Sequence, residues 1–166
     1  MKTAIIYYTM SENTKYAAEK IAENLGADLI QISPQKAYKD KGFSKFIWGG
    51  RSALMGDAPK LMPYQFNAAS YDRVILGTPI WASTFAPPLR SFIRENPEIS
   101  QKEIGAFACC SGGDAGKTFL KLKELLGVTE LKAELVLVDP KDKPDPVNES
   151  KIQSFCTTFG LSDKKC

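Results

Sequence analysis

Two adjoining stretches decide the fold: Thr3-Ala4-Ile5-Ile6-Tyr7-Tyr8, then Thr9-Met10-Ser11-Glu12-Asn13-Thr14. The first is a near-continuous apolar run, the pattern of a strand covered on both faces. Helical spacing follows at once. Ala17, Ile21 and Leu25 recur four apart across Asn13 to Leu25, and Gly26 stands where a left-handed cap ends a helix. A buried strand, a polar turn and an amphipathic helix make the first half of a strand-helix-strand unit.

The same alternation runs through the chain. Ala27 to Ile32 is a weaker strand, broken by Asp28 and Gln31, which suits a sheet edge. Arg73 to Gly77 is the next strand, and Pro87-Pro88 opens a helix carrying Leu89, Phe92 and Ile93 that Asn96-Pro97 stops. Ile104 to Cys110 precedes a helix with Phe119, Leu122, Leu125 and Leu126, ended by Gly127. Leu135 to Val138 is the last strand, and Asp145-Pro146 caps a helix bearing Ile152, Phe155 and Phe159. Five strands alternating with helices predict an α/β fold: one doubly wound, five-stranded parallel sheet with helices on both faces. No linker or repeat interrupts it, so residues 1–166 form one domain. Ligands of such sheets sit at the carboxyl ends of the strands, where strand order reverses. Functional residues are therefore expected just after Tyr8, Gly77 and Cys110.

Composition removes several chemistries. The 166 residues include no histidine, which excludes Ser-His-Asp and Cys-His catalysis and histidine metal sites. A bound cofactor becomes the natural carrier of any chemistry. The cysteines at 109, 110, 156 and 166 form no CxxC pair, and Cys109 and Cys110 read as reduced thiols at a strand end. No apolar run approaches the roughly 20 residues that span a bilayer. The N-terminus enters strand-like sequence without a signal-peptide pattern, so a cytoplasmic location is expected and no membrane partner.

Three loops at the expected places carry unusual sequence. Thr9-Met10-Ser11-Glu12-Asn13-Thr14 holds three hydroxyls and an amide at a helix N-terminus, where free N–H groups and the helix dipole favour a phosphate. N-capping explains one such residue, not four. Thr78-Pro79-Ile80-Trp81-Ala82, continuing to Phe85, offers aromatic rings that either stack on a planar ligand or fold back over helix ends. Cys110-Ser111-Gly112-Gly113-Asp114 is glycine-rich, which permits close backbone approach to a ligand or an ordinary tight turn.

In this order and at these strand ends, the loops resemble those of the flavodoxin family over nearly the whole chain. The resemblance implies strand order 2-1-3-4-5 and one non-covalent FMN. It assigns the phosphate to Thr9, Ser11, Asn13 and Thr14, with Met10 and the Glu12 backbone completing the loop. Thr78, Pro79, Ile80, Trp81 and Ala82 then flank one side of the isoalloxazine, with Trp81 as the stacking aromatic. Cys110, Ser111, Gly112, Gly113 and Asp114 flank the other. The implied role is a low-potential electron carrier between redox proteins.

Two features depart from that family. Many flavodoxins are acidic, whereas the formal net charge here is +3. Between Gln35 and Lys60, Lys36, Lys39, Lys41, Lys45, Arg51 and Lys60 face only Asp40 and Asp57, interleaved with Tyr38, Phe43, Phe46, Ile47, Trp48 and Met55. This crossover either covers the sheet with a basic outer face or docks an acidic partner; it forms no extended basic patch for nucleic acid. The third loop also lacks the aromatic that caps the ring in many flavodoxins. An open ring face admits a nicotinamide, so the alternative is an NAD(P)H-dependent flavin or quinone reductase, with Tyr38 or Trp48 as a substitute cap.

Two other classes fit the residues less well, and the first, a P-loop-type nucleotide-binding protein, stands as a remote alternative. Ser111 to Thr118 matches a nucleotide-binding P-loop apart from its first position, and Leu135 to Asp139 resembles a strand ending in a magnesium ligand. That loop follows the fourth strand, the 27 residues after Asp139 cannot complete a P-loop domain, and the first loop would go unused. A signalling receiver domain needs acidic residues where Tyr8-Thr9 and Gly77-Thr78 stand.

Overall fold

The computed structural model describes residues 1–38, 51, 53, 55–112 and 115–161. Six strands occur among them: β1 (Thr3–Tyr7), β2 (Asp28–Gln31), β3 (Arg73–Trp81), β4 (Thr84–Phe85), β5 (Glu103–Cys110) and β6 (Ala133–Val138). The helices among them include α1 (Asn13–Leu25), α2 (Pro87–Glu95), α3 (Gly116–Leu126) and α4 (Pro146–Gly160). Five strands run parallel in the order β2-β1-β3-β5-β6. Counting only parallel strands, this is the expected 2-1-3-4-5.

Side chains alternate between two helix layers. Ala4 and Ile6 of β1 join Val74, Leu76, Ala106 and Ala108 beneath Leu89 and Phe92 of α2 and Phe119 and Leu122 of α3. Ile5 and Tyr7 join Ile75, Phe107, Leu135 and Leu137 beneath Ile21 of α1 and Ile152, Phe155 and Phe159 of α4. Because both faces are covered, every residue of β1 is buried, and its sequence loses the polar alternation of a half-exposed strand. β2 lies at the edge and buries only Ile30.

The punctuation works as its chemistry dictates. Gly26 ends α1 at φ 63°, its N–H bonded to the Ala22 carbonyl at 2.8 Å. The Asp145 side chain accepts from the Val147 N–H at 2.8 Å, and Pro146 opens α4. Arg73 and Glu103 are register partners at the starts of β3 and β5, and their ion pair at 2.7 Å is reinforced by Lys132 on Glu103 at 3.0 Å. This network pins the amino ends of the sheet. The carboxyl ends carry the functional loops.

One segment differs from expectation. The strand after Arg73 does not stop at Gly77; it continues to Trp81 and folds back as β4, pairing Trp81 with Thr84 and Ile80 with Phe85. The two-residue turn, Ala82-Ser83, has φ 48° and 59°. Right-handed strand twist favours such a turn, but its usual residues are Asn and Gly. Ala and Ser in that conformation each cost roughly 1–2 kcal/mol, and the gain is a hairpin that fixes Trp81 at the sheet rim.

The long crossover between β2 and β3 leaves and returns through one neck. Pro34 bridges Leu61, the Gln35 N–H reaches the Lys60 carbonyl at 2.8 Å, and the Met62 N–H reaches the Ser33 carbonyl at 2.8 Å. Most of the expected basic segment, including Lys39, Asp40, Lys41, Phe43, Lys45, Phe46, Ile47 and Trp48, lies outside the described residues. Among the described residues, no helix is long and apolar enough to cross a membrane.

Candidate functional site

A cleft of about 280 Å³ opens at the carboxyl ends of β1, β3 and β5. Its volume lies near the lower end of the ~300–1,000 Å³ usual for cofactor sites. The three loops singled out from sequence meet there. Met10, Ser11, Asn13 and Thr14 line it from the first, Pro79, Ile80, Trp81 and Ala82 from the second, and Cys110 and Ser111 from the third. Thr9, Glu12, Thr78 and Gly112 do not line it. Gly113 and Asp114 lie outside the described residues.

The first loop is shaped by an unusual residue. Glu12 occupies the N-cap position of α1 at φ 65° and makes no side-chain cap bond; its carboxylate instead faces Lys15 at 3.5 Å. The N–H groups of Asn13 and Thr14 open the helix and have no carbonyl partner within it. Thr9 Oγ1 accepts the Lys15 N–H at 3.4 Å, which uses one hydroxyl for capping. Ser11 and Thr14 remain at the cleft.

Asn13 has a different occupation from the one its type suggested. Its Oδ1 accepts from the Lys141 N–H at 2.9 Å and the Asp142 N–H at 3.4 Å, while its Nδ2 donates to Asp142 Oδ2 at 2.7 Å. The side chain is a strut tying the first loop to the turn after β6. What Asn13 offers an anion is its backbone N–H.

The second loop is fixed by Thr78 and by aromatic packing. Thr78 is fully buried; its hydroxyl donates to the Pro79 carbonyl and accepts the Ala86 N–H, both at 2.9 Å, so it braces the hairpin and does not face the cleft. Trp81 packs edge-on against Tyr38 with centroids 5.0 Å apart and against Tyr8 at 5.7 Å, while Tyr8 and Tyr38 are 6.3 Å apart. Tyr38, named from sequence with Trp48 as a substitute ring cap, packs on the indole and does not line the cleft. Burial holds the Tyr8 phenol well above its ordinary pKa.

Two lining residues were not assigned to the site from sequence. Cys109 is buried, and burial pushes its thiol up to about 12, partly offset by a hydrogen bond with Thr14. Asp139 is buried at φ 39° and accepts from Ser111 Oγ and from Lys143 Nζ, each at 2.8 Å. The Lys143 contact, helped by Ser111, holds its carboxyl below the usual range. Its N–H also reaches the Cys110 carbonyl at 2.9 Å, so β6 delivers a carboxylate to the third loop. Only its place at the end of an apolar strand marked it in the sequence, and that signal pointed to a metal ligand. The nucleotide-loop reading loses its parts here: Thr118 is fully buried and Lys117 is exposed, and neither lines the cleft.

No Lys or Arg lines the cleft among the described residues. An anion would meet N–H groups and hydroxyls instead, beside a planar aromatic wall. This geometry matches what comparison finds. The Flavodoxin family model matches residues 2–144.

The chain belongs to the flavodoxin family.

Solved structures agree on the fold. A putative flavoprotein from Bacteroides eggerthii is 23% identical and superposes with a TM-score of 0.76, over 97% of this chain and 99% of its own. A flavoprotein from Lactobacillus acidophilus, crystallised in complex with FMN, is 18% identical with a TM-score of 0.74, over 93% and 97% of the two chains. A flavodoxin-like, WrbA-like protein from Agrobacterium tumefaciens is 14% identical with a TM-score of 0.56, over 96% and 95%. No curated protein matches the sequence. Within the flavodoxin fold, the cleft lies at the point where the strand order reverses, between β1 and β3.

Proposed function

We propose that this flavodoxin binds one FMN non-covalently in the cleft and serves as a low-potential electron carrier between redox proteins. The observation that carries the reading is the convergence of three loops on one cleft, whose lining includes both a hydroxyl-rich helix N-terminus and Trp81. The residues fit the group. The N–H groups of Asn13 and Thr14, with the Ser11 and Thr14 hydroxyls, suit a phosphate without a cationic side chain. Pro79, Ile80, Trp81 and Ala82 suit one face of the planar ring, and Cys110 and Ser111 suit the other. Bound FMN supplies one- and two-electron redox chemistry that no side chain here offers.

The protein's own contribution is electrostatic. Asp139, paired with Lys143, sets a carboxylate at the cleft, and Trp81, with Tyr38 and Tyr8 packed on it, keeps water from one side. Both oppose further negative charge on the ring and so favour a low potential.

A second reading, an NAD(P)H-dependent flavin or quinone reductase, has one observation in its favour: Cys110, Ser111 and Gly112 present no aromatic side chain on their side of the cleft. FMN titration of the apoprotein, followed by anaerobic mixing with NADH and NADPH, tests both. Uptake of FMN with no direct bleaching by either nucleotide is the expected result. Rapid bleaching selects the reductase, and absence of FMN uptake overturns both.

A further inference from the structure

Beside the cleft, a groove runs between α2 and α3. It is lined by Phe85, Arg90, Arg94, Lys121, Glu124 and Leu125. Three cations therefore face one carboxylate. Lys117 extends the row, one helical turn before Lys121 on the same face of α3, and Leu120 between them is 54% exposed. Among the described residues, no carboxylate lies within ion-pair distance of Arg94, Lys117 or Lys121. Arg90 lies over the Phe85 ring at 5.0 Å, where burial and the like charge of Arg94 lower its pKa, opposed by Asp57.

The groove is joined to the cleft wall. Phe85 at its floor pairs across the β3–β4 hairpin with Ile80, which lines the cleft. Paired strands lie about 4.8 Å apart, so the Phe85 end of the groove is one strand from the cleft, while Arg94 and Leu125 lie on the last turns of their helices, toward the amino ends of the sheet. A row in which cations outnumber carboxylates, around an exposed apolar side chain, is the pattern of a steering surface: charge speeds encounter, and the apolar centre holds the complex.

We propose that the α2/α3 groove is the docking face for an acidic redox protein. Its electron-transfer meaning rests on the FMN reading above, whereas the docking itself does not. The polarity is the reverse of an acidic carrier seeking a basic partner: here the carrier supplies the positive face.

The test uses a strongly acidic two-iron ferredoxin as probe, a basic c-type cytochrome as opposite-charge control, and a short DNA duplex as a generic polyanion. Binding to the full chain is measured by biolayer interferometry with and without added FMN, which separates failure of docking from failure of cofactor uptake. Expected is ferredoxin binding that weakens at least about tenfold between roughly 50 and 300 mM NaCl. It should be lost in the double variant Arg94→Glu, Lys121→Glu, while the cytochrome gains affinity for that variant. Both positions are at least partly exposed, and circular dichroism confirms the fold of the variant. Unchanged ferredoxin binding in the double variant overturns the assignment. So does tighter binding of the cytochrome than of the ferredoxin by the wild-type chain, or equal retention of the DNA duplex.

Discussion

Tyr38 and Trp81 meet edge to face, their ring centroids 5.0 Å apart and their planes at 83°. The contact joins the start of the long crossover to the rim of the cleft. Aromatic pairs of this geometry are worth about 0.5–1.5 kcal/mol beyond their buried area, enough to hold the indole in one orientation. Tyr38→Ala should therefore weaken FMN binding by about three- to tenfold, and Trp81→Ala by more, as read by flavin fluorescence titration. Equal affinity in both variants would show that the aromatic wall is not part of the cofactor site.

Asn13→Ala removes the strut between the first loop and the turn after β6. It leaves the Lys141 N–H and the Asp142 carboxylate without their partner. A loss of about 1–3 kcal/mol in urea-unfolding free energy is expected, together with weaker FMN binding. A variant as stable as the parent would show that the turn does not depend on Asn13.

Asp139 gives a pH signature. Its folded-state pKa lies below the ordinary 3.8, so it contributes stability that is complete above that value and lost as the pH falls through the folded one. Urea midpoints between about pH 2 and 5 should fall more steeply for the parent than for Asp139→Asn. Parallel acid limbs would remove Asp139 from the account.

The described cysteines should differ sharply in reactivity. Burial raises Cys109 to about 12 and Cys156 to about 11 from an ordinary 9.0, so their thiolate fractions at pH 8 are small. Cys110 is partly exposed at the cleft. Iodoacetamide followed by peptide mapping should label Cys110 well before Cys109 or Cys156, and added FMN should slow that labelling. Early modification of Cys109 would contradict its burial.

Gly77 has no room for a side chain. A Cβ there would lie 2.3 Å from Phe107 Cζ and 2.9 Å from Tyr7 Cβ. Gly77→Ala should cost about 1–3 kcal/mol through overpacking, measured by thermal or urea unfolding. Tolerance without loss would mean that the β3–β5 face repacks freely.

The sheet was legible from sequence because each parallel strand is a local apolar run and each helix carries its own spacing and cap. The three loops were legible for the same reason, since strand ends locate them. What escaped depends on long-range partners or on rule-breaking turns. Asn13 announced a polar loop, but its partners lie 128 and 129 residues away. Asp139 joins the site through Ser111, 28 residues distant. The β4 hairpin escaped because Ala82-Ser83 lacks the Asn-Gly signature of its turn type.

The neck at Pro34 and Leu61 has a consequence for how this protein can change. Closing a loop whose ends are already held together costs an entropy that grows only with the logarithm of its length, about 0.6 kcal/mol for each doubling. Insertions or deletions beyond Tyr38 should leave the sheet's register untouched, provided that Tyr38 and the Gln35–Lys60 contact are kept. The crossover is thus a natural cassette. Over evolutionary time, or in the hands of an engineer, its length can be rewritten for new neighbours while Tyr38 keeps its place on Trp81.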